Sequence, residues 1–324
     1  MMAAPVFKVV RPGLQTTVQD FGRYGWQKYG VSPSGAMDPF AIRVANILVG
    51  NPPGDAVLEA AFPGPALEIL SDCTIAICGA DFSPELNGKP APLWKSFQAR
   101  KGQILSFGRP VSGTRAYIAV SGGLDVPVLL GSRSTYLAGG FGGVDGRSLR
   151  KGDVLSADNP SNGIPGRSLA TRLIPEYQSE LMVRIIAGPH AEAFEKESFE
   201  AFFQKEYTVT THSNRMGITL EGPKLRHREG ADIFSDAVPF GGIQVPSGGQ
   251  PIILMAERQP TGGYTRIATV ITVDLPLLAQ AAPGSVIRFK QVGVAEAQKA
   301  YFESRAMLIE LAVATGAWSQ GMAL

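Results

Sequence analysis

Glycine and proline divide this chain into short stretches of β-type sequence, and their spacing limits the folds that it can form. The 324 residues include 38 glycines and 24 prolines. The segments between them are rich in Ile, Val, Phe and Thr, and many alternate apolar with polar side chains, as half-buried strands do. A spacing of about ten residues is typical of β-barrels and sandwiches, and it argues against a βαβ repeat. The segments are ALEIL (66–70), CTIAICG (73–79), GQILSFG (102–108), RAYIAVSGG (115–123), LMVRIIAG (181–188), PIILMAE (251–257), ATVITVD (268–274) and SVIRFKQV (285–292).

Three segments have the pattern of helices. Asp38 precedes the run PFAIRVANILV and Gly50 follows it, so the sequence supplies an N-cap, a first-turn proline and a C-terminal glycine. Segments 189–207 and 294–313 each place apolar side chains on one helical face. We therefore predict a mostly β protein with a few packing helices.

Two short motifs recur in the same order in both halves of the chain. RYGxxxxG (23–30) returns as RMGxxxxG (215–222), and GQILSF (102–107) returns as GSVIRF (284–289). The two offsets are similar, which favours duplication of one ancestral half. The sequence thus predicts two domains of related fold.

The segment DNPSNGIPGRSLATRLIPEY (158–177) is the predicted linker between these domains. It is dense in Gly, Pro, Asn and Ser, which favour turns over regular structure. A chain of this length also suffices for two domains of about 100–200 residues each. We predict an N-terminal domain over 1–165 and a C-terminal domain over 166–324.

Charge and motif content narrow the possible functions. Lys and Arg number 30 and Asp and Glu 28, which gives a net charge of +2 without a long basic run and argues against nucleic-acid binding. Three histidines, and two cysteines at an offset of five residues, argue against a metal site built from histidine and cysteine ligands. Standard nucleotide, nucleophile-elbow and zinc-protease motifs are missing, as is a Met-Lys-Met stretch for covalently attached biotin. The chain shows neither a signal-peptide pattern nor a long apolar run, so we expect a cytoplasmic protein without a membrane partner.

The segment TTVQDFGRYGWQKYGVSPSGAMD (16–38) concentrates polar side chains among glycines and aromatic residues. Glycines let a ligand approach the backbone, and an arginine beside a carboxylate suits recognition of a planar carboxylate or amide. Asp20 and Arg23 are therefore candidate site residues. The alternative is a turn-rich connection in which Asp20 pairs locally with Arg23, while Asp38 caps its helix.

The segment GSRSTYLAGGFGGVDGRSL (131–149) has the composition of an anion-binding loop. Arginines and hydroxyl side chains flank four glycines within the five positions 139–143. Consecutive backbone N–H groups in such a loop can form a nest for an anion, and the flanking side chains add donors. The alternative is a hairpin with a flexible tip. The candidate residues are Arg133, Ser134, Thr135, Tyr136, Asp145 and Arg147.

The segment 241–276 places polar side chains on otherwise apolar strands. Such side chains must be hydrogen bonded when buried, and a substrate can supply the partner. Glycine pairs at 248–249 and 262–263 favour tight loops that close over a ligand, although a solvated sheet face would have a similar pattern. The candidate residues are Gln250, Arg258, Thr261 and Tyr264.

Four long motifs follow one another over nearly the whole chain: PGLQTTVQDFGRYGWQKYGVSPSGAMDPFAIRVANILVGN (12–51), GSRSTYLAGGFGGVDGR (131–147), SNRMGITLEG (213–222) and GGIQVPSGGQPIILMAERQPTGGYTRIATV (241–270). Together they resemble the allophanate hydrolase subunit 2 / KipA family. One departure from the family pattern is AERQPTGG (256–263), where Pro260 stands in a turn that we expect without proline, and it removes a backbone donor.

The resemblance implies a fold, partners and an activity. The family includes the C subunit of bacterial ATP-dependent 5-oxoprolinases. The resemblance also implies two tandem cyclophilin-like β-barrel domains. The implied partners in a hetero-oligomer are the KipI-like B and LamB-like A subunits. Together they would convert 5-oxo-L-proline to L-glutamate with hydrolysis of ATP, with Mg²⁺, and the nucleotide could be bound by a partner subunit.

Two other functions stay open from the resemblance. The first is a carboxyltransferase-type component of a biotin-dependent urea or allophanate system, in which biotin arrives on another domain. The second is a non-catalytic antagonist that binds a KipI-like inhibitor of a histidine kinase. Neither function requires a nucleotide motif on this chain.

Lactam hydrolysis sets the chemical roles that the candidate residues would fill. A lactam is resonance-stabilised, and phosphorylation of its amide oxygen makes it a better electrophile, so the site needs donors for phosphate oxygens and a clamp for a carboxylate. By residue type, the anion donors are Arg133, Ser134, Thr135 and Arg147. Arg23 and Arg215 are candidates for the substrate carboxylate or for a domain interface. Asp20 or Asp145 would orient a proton or Mg²⁺, and the second half would contribute Gln250, Arg258, Thr261 and Tyr264.

Overall fold

The predicted strands pair into sheets, because each strand has an apolar face that must be buried against another element. The structure, a computed structural model, describes residues 3–317. Its regular structure is mostly β, as the sequence predicts. Contacts between residues divide the chain into two compact units. The first unit comprises the described residues up to Arg23, Asp38–Tyr177 and the described residues from Arg305 onward, and the second comprises Tyr24–Met37 and Gln178–Ser304.

This division differs from the two contiguous ranges, 1–165 and 166–324, that the sequence predicts. Both units draw on separate stretches of the chain, so a single boundary does not describe them. The predicted linker, 158–177, lies in the first unit. The Ser96 amide donates to the Arg167 carbonyl at 2.8 Å, and Leu169 is buried. Glycine and proline therefore shape packed turns in this segment.

Two antiparallel sheets build the first unit. Its strands are β1 (Ala4–Arg11), β2 (Gln15–Gln19), β3 (Val57–Ala61), β4 (Ala66–Ile69), β5 (Cys73–Asp81), β6 (Pro84–Leu86), β7 (Lys89–Pro90), β8 (Ser96–Ala99), β9 (Ile104–Phe107), β10 (Ser112–Val120), β11 (Leu124–Asp125) and β12 (Val154–Ala157). A seven-stranded sheet has the order β11-β12-β1-β4-β9-β6-β7, and a five-stranded sheet has the order β2-β3-β10-β5-β8. Apolar side chains from both sheets form one continuous core.

Helix α1 (Pro39–Val49) packs against β5 and β10 of the five-stranded sheet. The Asp38 carboxylate accepts hydrogen bonds from the amides of Phe40 and Ala41, and Gly50 ends the helix with a φ of 89°. The predicted N-cap and C-terminal glycine are therefore both present. Because β5 is covered on both sides, eight of its nine residues are buried, which explains why the run CTIAICGA contains a single polar residue, Thr74.

A closed barrel forms the second unit. Its strands are β13 (Glu180–Ala187), β14 (Tyr207–Val209), β15 (Gly217–Glu221), β16 (Asp232–Ala237), β17 (Gly242–Gln244), β18 (Ile252–Leu254), β19 (Thr261–Tyr264), β20 (Arg266–Val270) and β21 (Val286–Gln291). Seven strands close in the order β13-β20-β17-β18-β15-β14-β21, and the parallel pair β13–β21 completes the ring. Strands β16 and β19 form a separate two-stranded ribbon.

Helix α2 (Lys196–Gln204) is shorter than the predicted helix over 189–207. Residues 191–193 form a single 3-10 turn, and Phe194 after it is extended and bridges to His227. The backbone leaves the helical path because the Glu195 amide donates to the Arg226 carbonyl, at 3.0 Å. This tertiary contact is invisible in local sequence.

The predicted strand over 268–274 is also too long, since β20 ends at Val270. Residues 272–274 form a 3-10 turn that leads into α3 (Leu275–Ala279), whose first turn contains Pro276. The last helix, α4 (Val294–Ala314), matches the prediction over 294–313. None of the helices in the described part of the chain is long and apolar enough to cross a membrane.

The two recurring motifs differ in how closely their structures correspond. GQILSF and GSVIRF both pass from a glycine with left-handed φ, 85° at Gly102 and 90° at Gly284, into a strand. In the other pair Gly25 also has a positive φ, of 93°, whereas Gly217 begins β15. The shared arginines, Arg23 and Arg215, are nevertheless both buried, at 1% and 3% exposure.

Phe202 on α2 joins the helix to the barrel core. Its ring stacks on Phe289 of β21, with a centroid distance of 4.5 Å. We predict that Phe202→Ala lowers the free energy of unfolding by about 3–5 kcal/mol, because it leaves a cavity in a packed core. Phe302→Ala is the matched control, since Phe302 is 61% exposed, and it should change stability by no more than about 0.5 kcal/mol. Urea denaturation followed by circular dichroism measures both, and equal midpoints for the two variants would contradict the assigned packing.

Candidate functional site

The carboxylate of Asp20, just after β2, is held by four donors. It accepts hydrogen bonds from the Gly22 amide at 2.7 Å and the Ser132 hydroxyl at 2.6 Å. The Arg133 amide and the Ser134 hydroxyl each donate to it at 2.5 Å. An ionised carboxylate has about four acceptor positions, so these donors fill them. Asp20 thereby anchors the segment 132–134 to the end of β2.

Arg23 contacts the same segment from a buried position. Its guanidinium donates to the Ser134 carbonyl and lies over the Phe141 ring, 5.0 Å from the ring centroid. Nearby, the side-chain amide of Gln19 donates to the Thr135 carbonyl at 3.2 Å. The structure thus brings together five of the predicted site residues in the first unit: Asp20, Arg23, Arg133, Ser134 and Thr135.

The glycine-rich loop uses its backbone donors internally. Four of its N–H groups donate to carbonyls of the same segment: Gly140 and Phe141 to Tyr136, Gly143 to Arg133, and Gly146 to Gly142. Ser134 and Thr135 are fully buried, and Tyr136 packs edge-on against Phe141. These contacts fold the loop onto itself, which is not the arrangement of outward-facing N–H groups that an anion nest needs.

Arg147 is matched by carboxylates within its own turn. Its guanidinium makes a two-point contact with Asp153, at 2.7 and 3.1 Å, and a further contact with Asp145 at 3.2 Å. The hydrogen bond to Asp153 is the main cause that raises the pKa of Arg147, and the same bond lowers the pKa of Asp153. The structure therefore pairs two predicted residues, Asp145 and Arg147, with each other.

Arg133 extends from the Asp20 segment toward two acidic residues. Its guanidinium lies 3.6 Å from the Asp125 carboxylate, and both side chains are partly exposed. Burial raises the pKa of Asp55 to about 6, and the charge of Arg133 partly offsets this rise. Asp55 is thus a carboxyl group that takes up a proton near pH 6.

In the second unit Arg215 forms a buried ion pair with Glu257. The Arg215 Nε atom lies 2.8 Å from Glu257 Oε1, and both side chains are 4% exposed. Arg215 also donates to the Gly35 carbonyl at 2.6 Å, and the Glu257 amide donates to the Arg215 carbonyl at 2.8 Å. The charge of Arg215 is therefore neutralised inside the protein.

A cavity of about 470 Å³ opens beside Arg258 in the same unit. We call it the Arg258 cavity; its walls are Gln27, Pro33, residues 236–239, Arg258, Pro260 and Arg266. Arg258 is 5% exposed and donates to the carbonyls of Val238 at 2.9 Å and Met255 at 3.2 Å. Burial lowers its pKa below the ordinary value, while the Tyr24 hydroxyl raises it.

The other three candidates of the second half are not among the residues that line this cavity, although Thr261 pairs with the wall residue Ala237. Gln250 binds the amide and the carbonyl of Gly222 with its own side chain, both at 3.0 Å. Thr261 and Tyr264 are exposed at the two ends of β19. The glycine pair 262–263 belongs to the same strand, and so it does not form the tight loop that the sequence predicts.

The described residues hold no cluster of three or more His, Cys, Asp or Glu side chains that could bind a metal ion.

The family described as carboxyltransferase domain, subdomain A and B, matches residues 29–291 of the chain. The chain belongs to this carboxyltransferase-domain family. The family resemblance seen in the sequence motifs is thereby confirmed.

Relatives within the carboxyltransferase-domain family fall into two groups. The 5-oxoprolinase C subunit of Haemophilus influenzae is 38% identical over 285 residues, which cover 88% of this chain and 91% of the relative. That of Escherichia coli is 37% identical over 307 residues, covering 93% and 98%. The crystal structure of the K. lactis urea amidolyase matches with a TM-score of 0.90 at 31% identity, over 96% of this chain and 20% of that longer one.

Several residues of this family member that shape the sites were not predicted from sequence. Ser132 lies within the predicted loop, and Asp153 closes the turn RKGD (150–153), so both had a weak local signal. Asp55 and Asp236 had none, because their importance comes from neighbours distant in the chain. Only the folded structure shows which arginine each carboxylate faces.

The raised pKa of Asp55 predicts a pH-dependent stability. The folded state binds this proton more tightly than the unfolded state, whose pKa is 3.8, so stability falls as pH rises from about 4 toward 6 and beyond. Asp55→Asn should remove this cost. The unfolding free energy of the variant minus that of the wild type should therefore be about 1–3 kcal/mol larger at pH 8 than at pH 5. Urea denaturation at both pH values measures the difference. A constant difference would contradict the assigned burial.

The Arg215–Glu257 pair predicts a non-additive response to substitution. Arg215→Met or Glu257→Leu alone leaves one buried charge without its partner and should cost about 3–5 kcal/mol of unfolding free energy. The double variant should be more stable than either single variant, because it buries no lone charge. Denaturant unfolding of all four proteins measures the coupling, and strictly additive losses would refute it.

Proposed function

We propose that this protein acts as the C subunit of an ATP-dependent 5-oxoprolinase, which converts 5-oxo-L-proline to L-glutamate together with the KipI-like B and LamB-like A subunits. The observation that carries the proposal is similarity along almost the whole of two C subunits, including 37% identity over 98% of the Escherichia coli protein. By comparison, the chain aligns with one-fifth of the K. lactis urea amidolyase. The other four-fifths of that enzyme lies outside the alignment.

The predicted phosphate donors do not fit an ATP site on this chain. The guanidinium of Arg133 faces the Asp125 carboxylate at 3.6 Å, the hydroxyl of Ser134 is taken by Asp20, and Arg147 is taken by Asp153 and Asp145. The glycine-rich loop directs four N–H groups to its own carbonyls. We therefore assign ATP and Mg²⁺ to the partner subunits.

The contribution of this chain is then to bind and orient the organic substrate. Holding a reactant in a fixed position lowers the entropic cost of a reaction that needs several groups to meet. The Arg258 cavity has a volume within the range of about 300–1,000 Å³ that small-molecule sites occupy. It combines apolar walls with a buried cation, which suits a small ring that has a carboxylate.

A second candidate function is a carboxyltransferase-type component that works with a biotin carrier on another protein. The family description and the fold similarity to urea amidolyase favour it. This function requires a biotinylated partner and a carboxyl acceptor. It predicts no release of glutamate from 5-oxo-L-proline.

Reconstitution distinguishes the two functions. We expect the purified chain, mixed with KipI-like and LamB-like proteins from the same source, to form ADP and glutamate from 5-oxo-L-proline. Mixtures that lack any one protein serve as controls, and each should be inactive. Glutamate formation without this chain, or none in the complete mixture, would refute the proposal. Carboxylation of urea in a mixture that contains a biotinylated carrier would support the second function instead.

A further inference from the structure

We propose that the Arg258 cavity binds the carboxylate group of a small-molecule ligand, with Arg258 as its principal partner. The identity of that ligand as 5-oxo-L-proline rests on the proposed function. The charges, donors and walls of the cavity favour a carboxylate independently of that function. Arg258 would then be the substrate clamp in place of Arg23 and Arg215, whereas the sequence predicted it only as a residue of the wall.

Arg258 is a buried cation whose neighbours are neutral. Its contacts are the carbonyls of Val238 and Met255, the Tyr24 hydroxyl and the Phe240 ring, whose centroid lies 5.3 Å away. Within the described part of the chain no carboxylate forms an ion pair with it. A buried charge without a counter-charge is costly, and such a charge facing a cavity is stabilised when an anion enters. Arg215, by contrast, already has Glu257.

The guanidinium group keeps donors for a ligand. It has five N–H groups, and its hydrogen bonds to the carbonyls of Val238 and Met255 use two of them. The rest suffice for a two-point contact with a carboxylate, even with the Tyr24 hydroxyl close by. Arg258 therefore has both the charge and the hydrogen-bonding capacity for this ligand.

The charge of the cavity wall favours a monoanion. The charged residues in the wall are Arg258, Arg266 and Asp236, so two positive charges and one negative charge leave a net charge of +1. Arg266 is already paired with Asp236 at 3.2 Å and donates to the Ala237 carbonyl at 2.7 Å. One carboxylate would neutralise the net charge of +1 in the wall. Inorganic phosphate, with a charge of about −1.5 to −2 at neutral pH, would leave an excess of negative charge.

The remaining walls suit a small ring with one amide group. Pro33, Val238 and Pro260 supply apolar surface against which ring methylenes can pack. Gln27 reaches the cavity from another segment; its side-chain oxygen accepts from the Gly25 amide at 2.7 Å, which leaves its NH₂ group as a donor for a carbonyl. Pro260, the departure from the expected family pattern, thus forms part of an apolar wall. A lactam acid matches this combination of groups.

Isothermal titration calorimetry tests the proposal. It measures equilibrium binding to the full chain, both alone and in the reconstituted mixture. The probes are 5-oxo-L-proline, L-glutamate, 2-pyrrolidinone (the same lactam without its carboxylate) and inorganic phosphate. The variants are Arg258→Gln, which removes the cation, and Ala237→Trp, which fills the cavity from an exposed strand position. The matched control is Arg288→Gln, because Arg288 is a partly exposed arginine paired with Glu180 and Glu206, away from the cavity.

We expect the wild type and Arg288→Gln to bind 5-oxo-L-proline equally, and 2-pyrrolidinone to bind at least about tenfold more weakly. Arg258→Gln and Ala237→Trp should each weaken binding of the carboxylate by about tenfold or more. If Arg258→Gln does not fold, Ala237→Trp still decides the question. Unchanged binding by Ala237→Trp or by a folded Arg258→Gln, tighter binding of phosphate than of carboxylate, or no carboxylate binding with and without partners would overturn the proposal.

The same measurements separate this inference from the proposed function. An active mixture in which Arg258→Gln leaves the KM for 5-oxo-L-proline unchanged would refute the carboxylate site and retain the function. An inactive mixture in which L-glutamate still binds in an Arg258-dependent way would refute the function and retain the site.

Discussion

A charge buried in a protein has to be matched within the structure, and this constraint governs both units. In the first unit the Asp20 carboxylate is satisfied by two hydroxyls and two amides, so the loop at 132–134 is fixed to the end of β2. In the second unit Glu257 matches Arg215. Arg258 stands out against these pairs, because carbonyls, a hydroxyl and an aromatic ring surround it and a cavity lies beside it.

Much of the fold could be predicted from local sequence, because strands and helix ends have local causes. The apolar run of β5, the capped helix α1 and the long helix α4 follow from periodicity, an N-cap aspartate and flanking glycine. The errors occurred where distant contacts decide. Phe194 leaves the helical path because the next residue pairs with Arg226, and the apolar run after Val270 turns into α3.

The sequence located the polar segments but could not assign their partners. Ser134, Thr135 and Arg23 were predicted to face a ligand, and the structure brings them together around Asp20, from which Ser134 is separated by 114 residues. A hydroxyl that binds a carboxylate of its own protein has the same local pattern as one that binds a substrate. Arg258 differs from these residues only in its surroundings, which the packing of the folded chain determines.

The segments of the two units alternate along the chain, and this order affects folding during synthesis. The first unit includes residues near both ends of the described chain, and residues 24–37, which follow its first two strands, belong to the second unit. During translation, domains usually fold in order as they leave the ribosome. Here the first unit lacks its last piece until residues beyond Arg305 emerge, by which point all of the second unit has been synthesised. No single cut of the chain would therefore release either unit whole.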